Sequence, residues 1–245
     1  MNEVVFIGTS DAFGAGGRRQ SAVLVRGASG TVLLDCGATT GSGLNELGIA
    51  IDEIDAIVVS HFHGDHFGGI PLLLLAALYQ DHRRHPLEIA GPPGVEARVR
   101  AVAASMGHPM EGRDWSFPVR FQELPAGQRC EVGPARVRTF ATHHSPDATP
   151  HGLRLDLGGP SIAYSGDTGW FDGLPGQVAG AELFICECTY HASGFEYHLS
   201  HEELVAQRSS FDCGRFVITH LGAEMTDRRG SCDFEAADDG LKIRI

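Results

Sequence analysis

The chain has 245 residues, 42% of them hydrophobic and 20% charged, an ordinary globular composition that predicts a single domain over 1–245 with a sizeable core. A formal charge of −12 argues against nonspecific adhesion to nucleic acid or anionic membrane, although bound cations would make a site locally positive. The longest apolar run, 70–78, falls well short of the roughly 18–20 residues that cross a bilayer, and the acidic start lacks the basic region of a signal peptide. No membrane association and a cytoplasmic location are therefore expected.

In chain order, 4–7, 22–26 and 31–35 read as strands separated by Gly-rich turns, a meander. The loop 8–17 lacks the Gly-Lys-Ser/Thr ending of a phosphate-binding loop, so a flexible rim loop is expected, with Arg18 and Arg19 as candidate contacts to an anionic substrate. Segment 54–60 is a further strand whose continuous apolar character predicts burial on both faces. Helices are predicted over about 69–80 and 94–106, and the charged exit 81–86, with His82 and His85, reads as solvated surface. Strands follow near 118–123, 129–140, 152–157, 161–165, 182–188 and 215–219. Ser200 and Glu203 form a capping box that starts a helix over about 201–210. The six cysteines, at 36, 130, 186, 188, 213 and 232, have no CxxC spacing and read as free thiols. Many strands with occasional helices suggest two face-to-face sheets covered outside by helices.

The chemistry concentrates in Ser60-His-Phe-His-Gly-Asp-His66, where three histidines and an aspartate fall within six positions directly after an apolar strand. Imidazole and carboxylate are a natural donor set for zinc and neighbouring metals. His61 and His63, two apart, point to one side of an extended segment, and a positive φ at Gly64 would aim Asp65 and His66 at a second point close by. Two metals need more donors, each at a strand end. Thr142-His-His-Ser-Pro146, Ser165-Gly-Asp-Thr168 and His220 supply them.

His61-Phe-His-Gly-Asp-His66 resembles the HxHxDH motif of the metallo-β-lactamase fold superfamily, and the likeness runs from the opening strands and Leu34-Asp-Cys-Gly37 to Thr219-His-Leu221. Within it the chain looks most similar to the branch of ribonuclease Z and related phosphodiesterases. The resemblance implies an α/β (α+β) fold, a four-layer αββα sandwich. It also implies two divalent metal ions, zinc before manganese or iron: His61, His63 and His144 on one, Asp65, His66 and His220 on the other, and Asp167 between them. Asp35 would orient the ligand loop. His143 and His144 face opposite ways on an extended segment, so only one ligates easily; the His-Ser-Pro run points to His144, with His143 as the alternative.

Glu187 is an acid in an apolar strand and needs a partner. By the resemblance it pairs with His198 beside the metals, and His198 would protonate the leaving oxygen; a surface histidine at a helix start is the competing reading. His108, His151, His191 and His201 have no spacing that assigns them a role. The expected reaction is hydrolysis by hydroxide from a dinuclear metal centre, with Asp65 able to accept a proton. A departure narrows the substrate: thirteen residues separate Gly152 from Gly166, where ribonuclease Z would carry its long tRNA-gripping arm. A small phosphodiester, of cyclic-nucleotide or nucleotide-fragment type, is thus expected over precursor tRNA. Alternatives are a lactone, thioester or sulfate-ester hydrolase on the same fold, and, from another class, a non-catalytic metal-binding protein. Relatives of this kind are commonly dimers, so the resemblance also admits a homodimer.

Overall fold

The computed structural model describes residues 2–245. The strands are β1 (Glu3–Gly8), β2 (Ala22–Gly27), β3 (Gly30–Leu34), β4 (Ala56–Val58), β5 (Leu87–Gly91), β6 (Val119–Glu123), β7 (Arg129–Val132), β8 (Ala135–Ala141), β9 (His151–Asp156), β10 (Ile162–Tyr164), β11 (Ala181–Glu187), β12 (Cys213–Thr219), β13 (Glu235–Ala236) and β14 (Lys242–Arg244). They form two seven-stranded sheets, ordered β14-β1-β2-β3-β4-β5-β6 and β13-β12-β11-β10-β9-β8-β7. The helices are α1 (Thr40–Glu46), α2 (Gly64–Phe67), α3 (Ile70–Tyr79), α4 (Val95–Ser105), α5 (Leu174–Val178), α6 (His201–Gln207) and α7 (Ala223–Arg228).

Side-chain alternation sorts the core into three layers. Val4 and Phe6 of β1 join Val23, Val25, Val58, Val137, Leu155 and Ile185 between the sheets. Their neighbours Val5 and Ile7 face the other way, onto Leu44, Leu73, Leu74 and Val99 of α1, α3 and α4. On the far side Phe140, Phe184, Cys186 and Ile218 pack under Leu174, Leu204 and Met225 of α5, α6 and α7. Strands apolar on both faces must be covered on both, and the result is the four-layer αββα order. Burying each Leu, Ile or Phe contributes about 1.5–3 kcal/mol.

Several expectations need correction. The segment 129–140 is a hairpin, not one strand: Gly133 takes φ 51 and reverses the chain between β7 and β8. Strands β5, β13 and β14 and helices α1, α5 and α7 are further elements, all short. The expected helix over 201–210 ends at Gln207 and closes with a 3-10 turn at Arg208–Ser210, behind the Ser200–Glu203 capping box. Segment 81–86 is not wholly solvated, since the Arg83 side chain is buried and donates to the carbonyls of Ile51, Asp52, His85 and Pro86. A guanidinium is buried at tolerable cost only when its five donors find acceptors, and here loop carbonyls supply them. The cysteines are free.

Candidate metal centre

β3 and β4 run parallel, as do β10, β11 and β12, and β8 shares the direction of β10 through the antiparallel β9. The residues just beyond their C-terminal ends therefore gather at one edge of the sandwich. Asp35 follows β3, His61 and His63 follow β4, His144 follows β8, Asp167 follows β10, and His220 follows β12. Asp35 (φ 59) and His220 (φ 55) both adopt the left-handed conformation, which non-glycine residues seldom take and which recurs at functional sites. Gly64 does not. The turn after His63 is made instead by the start of α2, with extended His63 as its N-cap, which carries Asp65 and His66 into the first helical turn.

Asp35 is fully buried and organises the centre from behind. Its Oδ1 accepts from the Ser60 N–H at 2.7 Å, and its Oδ2 from the Ser60 hydroxyl at 2.8 Å, the Tyr164 hydroxyl at 2.7 Å and His66 Nδ1 at 2.7 Å. Because the Ser60 hydroxyl donates to Asp35, it accepts from His61 Nδ1 at 3.0 Å. Likewise His144 Nδ1 donates to the Tyr197 carbonyl at 2.8 Å, and His220 Nδ1 to Thr189 Oγ1 at 2.9 Å. In all four rings Nδ1 is committed to the protein and Nε2 is turned inward, the arrangement that orients imidazoles toward a metal.

The inward atoms form two groups that share one residue. His61, His63, His144 and Asp167 offer donor atoms within 4.8 Å of one another, and so do Asp65, His66, Asp167 and His220. Asp167 Oδ2 lies 3.6 Å from His61 Nε2 and 3.8 Å from His144 Nε2, while its Oδ1 lies 3.1 Å from His66 Nε2 and 3.5 Å from His220 Nε2. His66 Nε2 and Asp167 Oδ1 are buried without a hydrogen-bond partner. Orphaned buried polar atoms are costly. Here they face each other inside a borderline-soft N/O donor set, so the residues fit divalent metal on chemistry and on geometry. His144 stands in the cluster; His143 does not, its backbone pairing with Gly169 instead.

Charge is balanced within the centre. Burial lowers the His61 pKa well below its usual value, which favours the neutral ligand form. Burial would do the same to His66, but the Asp167, Asp65 and Asp35 carboxylates outweigh it and push it up. Burial would raise Asp65 and Asp167; the surrounding imidazoles reverse this and hold both carboxyls below the usual range.

Beside these groups Glu187 and His198 stand as a pair, with Glu187 Oε1 2.8 Å from His198 Nδ1. The carboxylate also accepts from the Thr168 N–H at 2.8 Å and the Thr189 hydroxyl at 2.8 Å, so it is buried yet satisfied. His198 is sandwiched between Phe195 (centroids 5.7 Å apart) and His220 (5.4 Å). Burial would lower the His198 pKa, but Glu187 reverses that and raises it to about 9, so the ring holds its proton at neutral pH.

Sequence reasoning missed Thr189, Ser60 and Tyr164. Thr189 links Glu187 to His220, and its signal was parity, since it lies two residues beyond Glu187. Arg18 and Arg19 are not substrate contacts. Arg18 is buried against Thr9, the Ala237 carbonyl and Asp238, and Arg19 binds the Ile7 carbonyl and Glu46. The loop 8–17 is likewise tied down, with Ser10 bridged to Gln20 and Leu221 and Asp11 accepting from the amides of Phe13 and Ala15.

The four-layer sandwich with paired His/Asp clusters at one edge defines a metal-dependent hydrolase of the metallo-β-lactamase fold, ribonuclease Z-like in kind. The chain belongs to the family described as "Anti-Pycsar protein Apyc1", which it matches over residues 2–234. It is similar to ribonuclease Z of Mycobacterium bovis (strain BCG / Pasteur 1173P2), 25% identical over 240 residues, covering 90% of this chain and 86% of the relative. Among solved structures it is similar to the metallo-β-lactamase fold protein YhfI from Bacillus subtilis, with TM-score 0.78, 20% identity and all of both chains covered. It is also similar to the short form of human tRNase Z, with TM-score 0.78, 24% identity and 99% of each chain covered. Among the described residues no helix is long and apolar enough to cross a membrane.

Proposed function

We propose that this chain is a phosphodiesterase acting on a small, cyclic-nucleotide-type phosphodiester. The observation that carries the reading is the His198–Glu187 pair, 2.8 Å apart at Nδ1 and Oε1, next to two donor groups that share Asp167. His61, His63 and His144 would hold one divalent cation, Asp65, His66 and His220 a second, and Asp167 both, with zinc the first choice and manganese or iron the alternatives. Such cations supply hydroxide from water at neutral pH and offset the charge of the phosphate.

The chain's own groups carry the protons. Asp65 points Oδ2 at His66 and His220, each 3.3 Å away, which leaves Oδ1 to take the proton that water gives up as the hydroxide nucleophile forms. As the P–O bond to the leaving group breaks, His198 Nε2 gives its proton to the departing oxygen, and Glu187 balances the charge at Nδ1 throughout. An alkoxide leaving group needs that proton; an activated ester or lactone needs it far less.

Two features support a small substrate over tRNA. Strands β9 and β10 are joined by the short turn 157–161, with no arm inserted between them, and the overall charge is −12. The relatives named ribonuclease Z support P–O cleavage over lactone, thioester or sulfate-ester hydrolysis. The test is a turnover screen of zinc- and manganese-loaded protein against cyclic nucleotides, linear phosphodiesters, a lactone, a thioester, a sulfate ester and a precursor tRNA. Cyclic or small phosphodiesters should turn over fastest. Preferential cleavage of the tRNA or the carboxylic esters would overturn the reading.

A further inference from the structure

A cavity of about 690 Å³ lies on the outer side of the second sheet, lined by Arg129, Arg136, Arg138, Arg154 and Ser161 and closed at one side by α5 at Gly176. Three of these arginines form a cross-strand row. Arg129 pairs directly with Arg138 across β7 and β8, and Arg138 with Arg154 across β8 and β9. Directly paired residues stand about 4.5–5.5 Å apart at Cα with side chains on one face, and like charges so placed repel. Burial and the charges of Arg138 and Arg129 accordingly lower the Arg154 pKa.

The acids nearby do not neutralise the row. Glu131 and Asp156 line the cavity too, but Glu131 is tied to Arg136 at 3.1 Å and Asp156 stands across from Arg136, and neither is salt-bridged to the row. Among the described residues Arg129, Arg138 and Arg154 make no salt bridge. Arg154 donates to the carbonyls of Gln177 (3.4 Å) and Ala179 (2.8 Å) and to Ser161 Oγ (3.1 Å), and Arg138 to the Gln177 carbonyl (3.3 Å) and Oε1 (3.1 Å). These bonds fix two guanidiniums against the C-terminal end of α5 without consuming their charge, and Arg138 Nε stays buried with no partner. A chain with a charge of −12 thus concentrates unneutralised guanidinium groups in one concavity.

We propose that this cavity is a binding site for a multiply charged phosphate compound of nucleotide size. A row of planar, bidentate donors at roughly 5 Å spacing matches several phosphate oxygens better than a single carboxylate. The volume falls in the range of about 300–1,000 Å³ typical of small-molecule sites, larger than one free phosphate requires. The row is independent of the metal centre, since it lies within β7, β8 and β9 on the outward face while the metal centre lies beyond the strand ends.

The test is equilibrium dialysis of the full chain, as purified and after chelation, with inorganic phosphate, pyrophosphate, ATP and citrate as probes. Pyrophosphate or ATP should bind the chelated protein at about one equivalent per chain, weaken as salt rises, and survive His63→Ala, while Arg129→Ala or Arg129→Gln should weaken binding about tenfold or more. Arg129 makes no bond to α5, so hydrolysis and melting temperature should be unchanged in its variants. Tighter binding of ATP than of pyrophosphate would identify a nucleotide, and equal binding a polyphosphate without base recognition; either supports the site. No binding near about 1 mM, binding unchanged by both Arg129 variants, loss on His63→Ala, or citrate bound as tightly as pyrophosphate would overturn it.

Discussion

His198 Nδ1 and Glu187 Oε1 lie 2.8 Å apart, with the carboxylate buried and the imidazole partly exposed. One side of the ring is thus committed to a charge that keeps it protonated, and the other is free to give the proton away. The pair makes a prediction about leaving groups. His198→Ala should reduce hydrolysis of a cyclic or alkyl phosphodiester by about 10²–10⁴-fold and that of a nitrophenyl phosphodiester far less, because nitrophenolate departs without help. Steady-state rates on the two substrates check it, and equal losses on both would remove the proton-donor role.

Asp35 touches no reacting atom, yet four donors converge on it, His66 Nδ1 among them. Asp35→Asn should leave the ligand set intact but loosen His66, weakening metal affinity by about 10–100-fold. Competition with a chromophoric chelator measures this. Undiminished affinity would show that His66 is oriented without Asp35.

His151 is buried with Nδ1 unpartnered, and burial holds its pKa below the usual 6.5. The unfolded chain therefore binds a proton more readily than the folded one, so stability rises with pH through this window and is lost as pH falls below about 6.5. His151→Gln should flatten the fall in melting temperature between about pH 7 and 5 relative to wild type. A parallel fall in both proteins would assign the acid sensitivity to other groups.

The centre was unusually legible because His61, His63, Asp65 and His66 are crowded into six positions and the remaining donors each follow an apolar strand. The sharing of Asp167 came only from resemblance, since strand periodicity says where a side chain starts and not which distant cluster it reaches. Gly64 shows the limit of local reasoning. A glycine between two ligand pairs suggested a positive-φ turn, but helix initiation at α2 makes the same turn with ordinary dihedrals. Arg18 and Arg19 misled for a related reason. Basic residues beside a Gly-rich loop look like substrate contacts, and only tertiary structure reveals that Asp238, Glu46 and backbone carbonyls already claim them. Helices α1, α5 and α7, of five to seven residues, are too short for their apolar periodicity to register, and they form because the sheets offer apolar faces to cover.

The central claim is that two metal ions, joined through Asp167, drive phosphodiester hydrolysis. It is tested most directly by titrating metal-free protein with zinc or manganese while following turnover of a phosphodiester. The account predicts activity that rises to a plateau at about two equivalents per chain. A plateau at one equivalent, or turnover indifferent to added metal, would contradict it.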